Sequence, residues 1–205
     1  MKLNDAVTSS SPVKPRLKAI EGNLNAASRR FAIVVSRFNE FITERLLQSA
    51  YDGLLRSGAT KKAIKIARVP GSFEIPSAAR TLAKTKKYDA IICLGCLIRG
   101  DTPHYDVIVN EVTRGIGQSA QETGVPHAFG VLTCDNLEQA IDRAGLKMGN
   151  KGFEAALAAV EMANLTPAIS NERAGFQVSA RIRKGKASKT SAKKTRTPAP
   201  QQRKE

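Results

Sequence analysis

Between residues 31 and 167, apolar β-branched runs alternate with stretches whose apolar positions recur every three to four residues. FAIVVS (31–36), IKIARV (64–69), AIICLG (90–95) and AFGVLT (128–133) have the length and composition of buried strands. EFITERLLQSAYDGLLRSG predicts a helix capped by Asn39 and stopped at Gly58. Further helices are predicted over about 75–85, over 104–123 (closed by Gly124 and Pro126), over NLEQAIDRAG, and over FEAALAAVEMANL, which Pro167 should end. A short extra strand is expected at residues 19–24. Strands alternating with helices of this length imply βαβ units, hence a four-stranded parallel sheet with helices on both faces and ligands outside the carboxyl ends of the strands. The segments to read for chemistry are therefore 36–39, 69–74, 95–104 and 133–136.

Composition narrows this picture. The chain has 205 residues, 41% of them hydrophobic, which is enough for one domain with a sizeable core and thin for two. No apolar run nears the roughly 18 residues of a membrane span, and the polar start MKLNDAVTSSS has no signal-peptide core, so a cytoplasmic protein is expected. Cys93, Cys96 and Cys134 lie in apolar segments and suit free thiols in a reducing compartment. The net charge of +15 is unevenly spread: residues 1–30 carry +4, residues 168–205 carry +9, and residues 31–167 only +2. So neutral a middle excludes a basic domain that grips phosphate backbone. Residues 1–18 and the tail 168–205 read as disordered extensions flanking one domain at 19–167. The tail is either a solvated aid to solubility or a non-specific contact for nucleic acid or another polyanion.

In the third loop, GCLIRGDT nearly spells a phosphate-binding P-loop, but Asp101 stands where the lysine should be, which argues against an NTPase. Thr102 as N-cap and Pro103 as first helical residue would leave free N–H groups and a positive helix end facing the strand ends, an anion seat or an ordinary capped helix start. His104 opens a helix on that edge and is a proton-transfer candidate, whereas His127 lies at the amino end of the sheet and reads as structural. Cys93 and Cys96 form a CxxC that runs from a strand into a loop rather than capping a helix, so Cys93 reads as core, and no ligand cluster suggests a metal site. Phe38 and Phe73 each follow a strand and serve as lids on the core or as stacking platforms for a flat ring. Glu74 can accept hydrogen bonds from a polyol or amine, or simply complement a helix start. Arg143, Lys147 and Lys151 recur at spacing four, a patch for phosphate or a solvated face.

Together SRFNEFIT, VPGSFEIP, GCLIRGDTPHYDVI, GVPHAFGVLTCDNLEQAIDRAG and KMGNKGFEAALAAVEMANL resemble the lumazine synthase family, in order and at its spacing, across about residues 20–165. The resemblance implies a three-layer flavodoxin-like sandwich and condensation of 5-amino-6-(D-ribitylamino)uracil with 3,4-dihydroxy-2-butanone 4-phosphate to 6,7-dimethyl-8-ribityllumazine, without a cofactor. It implies that Phe38 stacks on the pyrimidine, that Ser72, Phe73 and Glu74 hold the ribityl chain, and that Cys96, Leu97 and Ile98 line the uracil pocket. His104 becomes the proton-transfer residue. Asp101, Thr102 and Arg143 form the phosphate site, with Lys147 and Lys151 close behind. Phe129 and Arg143 reach into the pocket of a neighbouring subunit. A pentamer is implied, with the strand at 19–24 joining the neighbour's sheet, and the uninterrupted LKMGNKG turn resembles members that build sixty-subunit shells. Asp101 and Cys96 depart from the usual residues: a carboxylate beside a phosphate must point away or be offset by Arg99 or Arg143. Two other functions compete, a ligand-binding protein that no longer catalyses and a polyanion-binding assembly served by the tail.

Overall fold

The run FAIVVS forms β1 (Phe31–Ser36), buried at all six positions, because it lies inside the sheet and is covered on both faces. The computed structural model describes residues 19–147 and 149–192, with side chains through Asn171. The sheet is parallel, in the order β2-β1-β3-β4, with β2 at Ile64–Val69, β3 at Ala90–Ile98 and β4 at His127–Cys134. Helices α1 (Glu40–Arg56), α2 (Ile75–Lys84), α3 (His104–Thr123), α4 (Leu137–Arg143) and α5 (Lys151–Ala192) follow the strands.

Period-two alternation divides the core. Phe31, Ile33 and Val35 of β1 and Ile92 and Leu94 of β3 pack toward α1 and α5. Ala32, Val34, Ile91 and Cys93 face α2 and α3. The result is the expected three-layer, flavodoxin-like α/β sandwich. The two edge strands depart from the buried pattern, with Lys65, Ile66 and Arg68 of β2 and Phe129 and Thr133 of β4 exposed, since a strand paired on one side is not wholly covered.

Helix ends follow local chemistry in part. Gly58 adopts φ 97° after α1, and Gly124 adopts φ 67° after α3 with its N–H donating to the Ala120 carbonyl at 2.9 Å, both left-handed stops. Asn39 holds the expected N-cap position before α1, at φ 58°, with its carbonyl accepting from Ile42 and Thr43 N–H. Its side chain makes no capping bond, and the amide instead donates to the Cys96 carbonyl at 2.9 Å. Thr102 is not the expected cap; Pro103 holds that position before α3, and its carbonyl accepts from Asp106 N–H.

At the start of the domain residues 19–24 pair with no strand of their own chain, and the Asn164 side chain ties the end of the segment to α5 by donating to the carbonyls of Asn23 and Asn25 at 2.9 and 3.0 Å. Helix α5 does not stop at Pro167 but passes through it to Ala192. Pro167 removes one N–H donor, while the Ala-, Arg- and Lys-rich sequence beyond favours helix. Regular structure thus extends into the stretch expected to be disordered; residues 1–18 and 193–205 lie outside the described residues. Among the described residues no helix is long and apolar enough to cross a membrane.

Candidate active site

In the order β2-β1-β3-β4 the chain leaves β1 toward one edge and returns past it to β3, so the strand ends of β1 and β3 diverge into a crevice. Asn39, just after β1, ties the two by its bond to the Cys96 carbonyl near the end of β3. A cleft of about 410 Å³ opens there. It brings together Phe38, Ser72, Phe73, Cys96, Leu97, Ile98, Thr102 and His104 of the sequence-predicted set.

The walls and floor are built differently. Phe38 and Phe73 are 68% and 55% exposed, which is costly for a phenyl ring unless a flat ligand covers it. The floor is Cys96, wholly buried, whose thiol is pushed up to about 12 by burial and by Cys134, so it presents a neutral S–H. Cys93 is likewise pushed to about 12 by burial, which leaves the CxxC without a thiolate for redox chemistry near neutral pH. Gly95 makes room beside the floor, since a β-carbon there would fall 2.7 Å from Ser72 Oγ. Ser72 is 5% exposed and its hydroxyl makes no hydrogen bond among the described residues. A buried hydroxyl left so costs about 1–3 kcal/mol, which favours a ligand that can bond it.

His104, the first residue of α3, lines the rim and is exposed. Beside it stands a clasp that sequence reading missed. Arg99, after β3, grips Asp106 of α3 through both terminal nitrogens at 3.0 and 3.1 Å, reaches Asp135 after β4 through Nε at 3.2 Å, and stacks 4.2 Å over the Tyr105 ring. The start of α3 is thereby fixed to the ends of two strands. The signal was present, since Arg99 and Asp135 each sit on the carboxyl edge, but sequence reading considered Arg99 only as an offset for Asp101. That offset does not form: Arg99 is committed elsewhere, and Asp101 is exposed and makes no ion pair among the described residues. Arg99→Met should lower kcat by roughly tenfold by loosening the His104 backbone, with thermal stability changed little because the pairs are exposed. Arg99→Lys should recover only part, lacking the fork that holds Asp106 at two points; kcat, KM and a melting curve check this.

The remaining expected residues lie elsewhere. Glu74 accepts from Gly71 N–H at 2.9 Å just behind the rim, and Lys147 is exposed in the turn before α5. Phe129, Arg143 and Lys151 line a second hollow of about 580 Å³ on the outer edge strand β4, between α4 and the start of α5. Lys151 pairs with Glu154 at 2.7 Å. Arg143, at the last turn of α4, makes no ion pair among the described residues and lowers the Cys134 thiol against the larger opposite effect of burial. The two hollows share no residue, and no lysine or arginine lines the one holding His104.

His127 is structural. Its ring bonds Ser119 Oγ at 2.9 Å and the Val125 carbonyl at 2.8 Å, and burial lowers its pKa. Among the described residues no three His, Cys, Asp or Glu side chains converge as metal ligands would.

Fold and site together define an α/β protein of the flavodoxin-like class, with a candidate active site at the switch point of its parallel sheet. The family described as 6,7-dimethyl-8-ribityllumazine synthase matches residues 28–167. The chain is 59% identical over 150 residues to a 6,7-dimethyl-8-ribityllumazine synthase of Desulfotalea psychrophila, a match covering 73% of this chain and 97% of the relative. To one of Chlorobium luteolum it is 57% identical, with the same coverage. The chain belongs to the 6,7-dimethyl-8-ribityllumazine synthase family.

Proposed function

We propose that the chain condenses 5-amino-6-(D-ribitylamino)uracil with 3,4-dihydroxy-2-butanone 4-phosphate to 6,7-dimethyl-8-ribityllumazine, a late step of riboflavin biosynthesis, at a site shared between copies. The observation that carries the shared site is the separation of the two hollows. One substrate is a phosphate ester and needs cations, yet none lines the cleft that holds His104, while Arg143 and Lys151 stand in the other hollow. One copy then supplies the cleft and its neighbour the cationic hollow with Phe129.

Within the cleft, Phe38 stacks on the pyrimidine, Cys96, Leu97 and Ile98 bound its far side, and Ser72, Phe73 and Glu74 hold the ribityl chain. Thr102 and the N–H groups opening α3 meet the phosphate together with the neighbour's Arg143, supported by Lys147, and Asp101 turns to solvent. The amine of one substrate and the ketone of the other meet beside His104. The amine adds to the ketone and loses water to give an imine, a C–H proton is removed as phosphate leaves, and the resulting enol becomes a carbonyl that the ribitylamino nitrogen attacks, losing a second water as the ring closes. Each step needs a proton moved between groups already held in place, and His104 can both accept and return it.

The catalytic unit is residues 19–167. A pentamer makes five such sites, with residues 19–24 adding a strand to the neighbour's sheet, and the turn before α5 suits assembly into a sixty-subunit shell. Three buried free thiols suit the reducing cytoplasm. The purified chain with both substrates should yield the fluorescent lumazine and inorganic phosphate in equal amounts; neither product appearing would reject the assignment.

A further inference from the structure

Residues 168–205 hold eleven lysines and arginines, and from Arg173 to Lys204 there is no acidic residue. The family match ends at residue 167, so this segment is not needed for the condensation. The fold nevertheless continues into it, since α5 runs unbroken to Ala192. Ile169, Ser170 and Asn171 are already exposed, so the helix has left the surface of the domain there.

We propose that residues 173–204 form a nucleic-acid-binding arm that grips phosphates without reading sequence. Five basic positions fall between 181 and 189, about 13 Å of helix at 1.5 Å per residue. A duplex offers one phosphate charge per about 1.7 Å of axis, a continuous anionic surface that such a run can neutralise at several points. At 100° per residue those positions fall all round the axis, and the large apolar residues of the helix beyond Asn171 are only Phe176, Val178 and Ile182. No broad apolar face is available to lie on a membrane, which disfavours a lipid surface. Beyond the helix, the Lys-, Thr- and Pro-rich sequence to Lys204 adds five more cations with one aromatic in the whole arm, a composition for charge contacts rather than base stacking. With +2 on residues 31–167 and +4 on residues 1–30, the arm holds most of the positive charge that attracts a polyanion. In an assembly of copies, which rests on the reading above, many arms would act on one polymer and raise the avidity.

The test compares the full chain with a variant in which the eight Lys and Arg of residues 181–196 are Gln, using labelled single-stranded and duplex oligonucleotides of mixed sequence across a salt series. The full chain should bind both, with log K falling against log salt at a slope steeper than about −4, and the variant should bind at least ~100-fold more weakly. Product formation should agree between the two within about twofold, since the replaced residues lie outside the active site. Equal affinity of chain and variant, a flat salt dependence, no binding by either, or polyglutamate of matched charge competing as well as nucleic acid would each overturn the proposal.

Discussion

His104→Ala is expected to lower kcat by about 100-fold, at the lower end of what a positioned general acid–base group contributes, and to leave KM for the ribitylaminouracil within roughly threefold. The asymmetry follows from the division of labour in the cleft. In the proposed site Phe38, Phe73 and the buried Ser72 hydroxyl serve to hold the substrate, and the proton transfer is left to His104. His104 stands at the rim on the first turn of α3, with only the reaction to serve. Because its side chain is exposed, removal opens no cavity and the melting temperature should not move. Much of the enhancement over the uncatalysed reaction survives, because holding amine and ketone together is itself a large contribution. A variant that lost affinity rather than turnover would show that His104 binds substrate instead of moving protons.

Gly152→Ala is expected to cost about 3 kcal/mol or more and to lower the melting temperature by roughly 10 °C. Helix α5 begins against α1 so closely that a β-carbon at Gly152 would lie 2.1 Å from the Leu46 carbonyl oxygen and 2.9 Å from its α-carbon. These are backbone atoms in the middle of a helix and have no rotamer to retreat to. The small residues that follow, Ala155, Ala156, Ala159 and Ala163, are all buried in the same layer, so the contact cannot open at one end without losing packing along the seam. Gly117, in the middle of α3, has nothing within 4 Å of its would-be β-carbon. There the same substitution should be neutral or stabilise by about 0.5–1 kcal/mol. Denaturation of the two variants side by side separates a steric cost from a general effect of removing glycine.

Much of this was legible in the sequence because period and burial agree. The boundaries of β1, β2 and α3 follow directly from apolar runs and left-handed glycines. Strands β3 and β4 run beyond the expected ends, to Ile98 and Cys134, because their pairing with each other continues past Gly95 through Ile98↔Cys134. The Thr102 cap and the side-chain bond of the Asn39 cap did not form for one reason: a side chain that favours caps in isolation is taken by a tertiary partner or left in a loop. Pro167 was misread because a proline lowers helix stability without forbidding the helix. The candidate site residues were recognisable by type and by their place at the strand ends, and eight of them meet in one cleft. Their division between two hollows was not visible, since nothing in linear spacing tells which side of an edge strand Phe129 and Arg143 face. The Arg99 clasp escaped because its partners, seven and thirty-six residues away, belong to different elements.

The central claim is that one copy supplies His104 and the next supplies Arg143. Co-expressing equal amounts of a His104→Ala chain and an Arg143→Ala chain tests it most directly, because half-sites on different copies can be recombined. Assayed alone, each variant should turn over slowly. In mixed assemblies roughly a quarter of the sites pair an intact cleft with an intact cationic hollow, so activity should rise to roughly a quarter of that of the unaltered chain. Activity that stays at the average of the two variants would place the whole site within one copy and contradict the account.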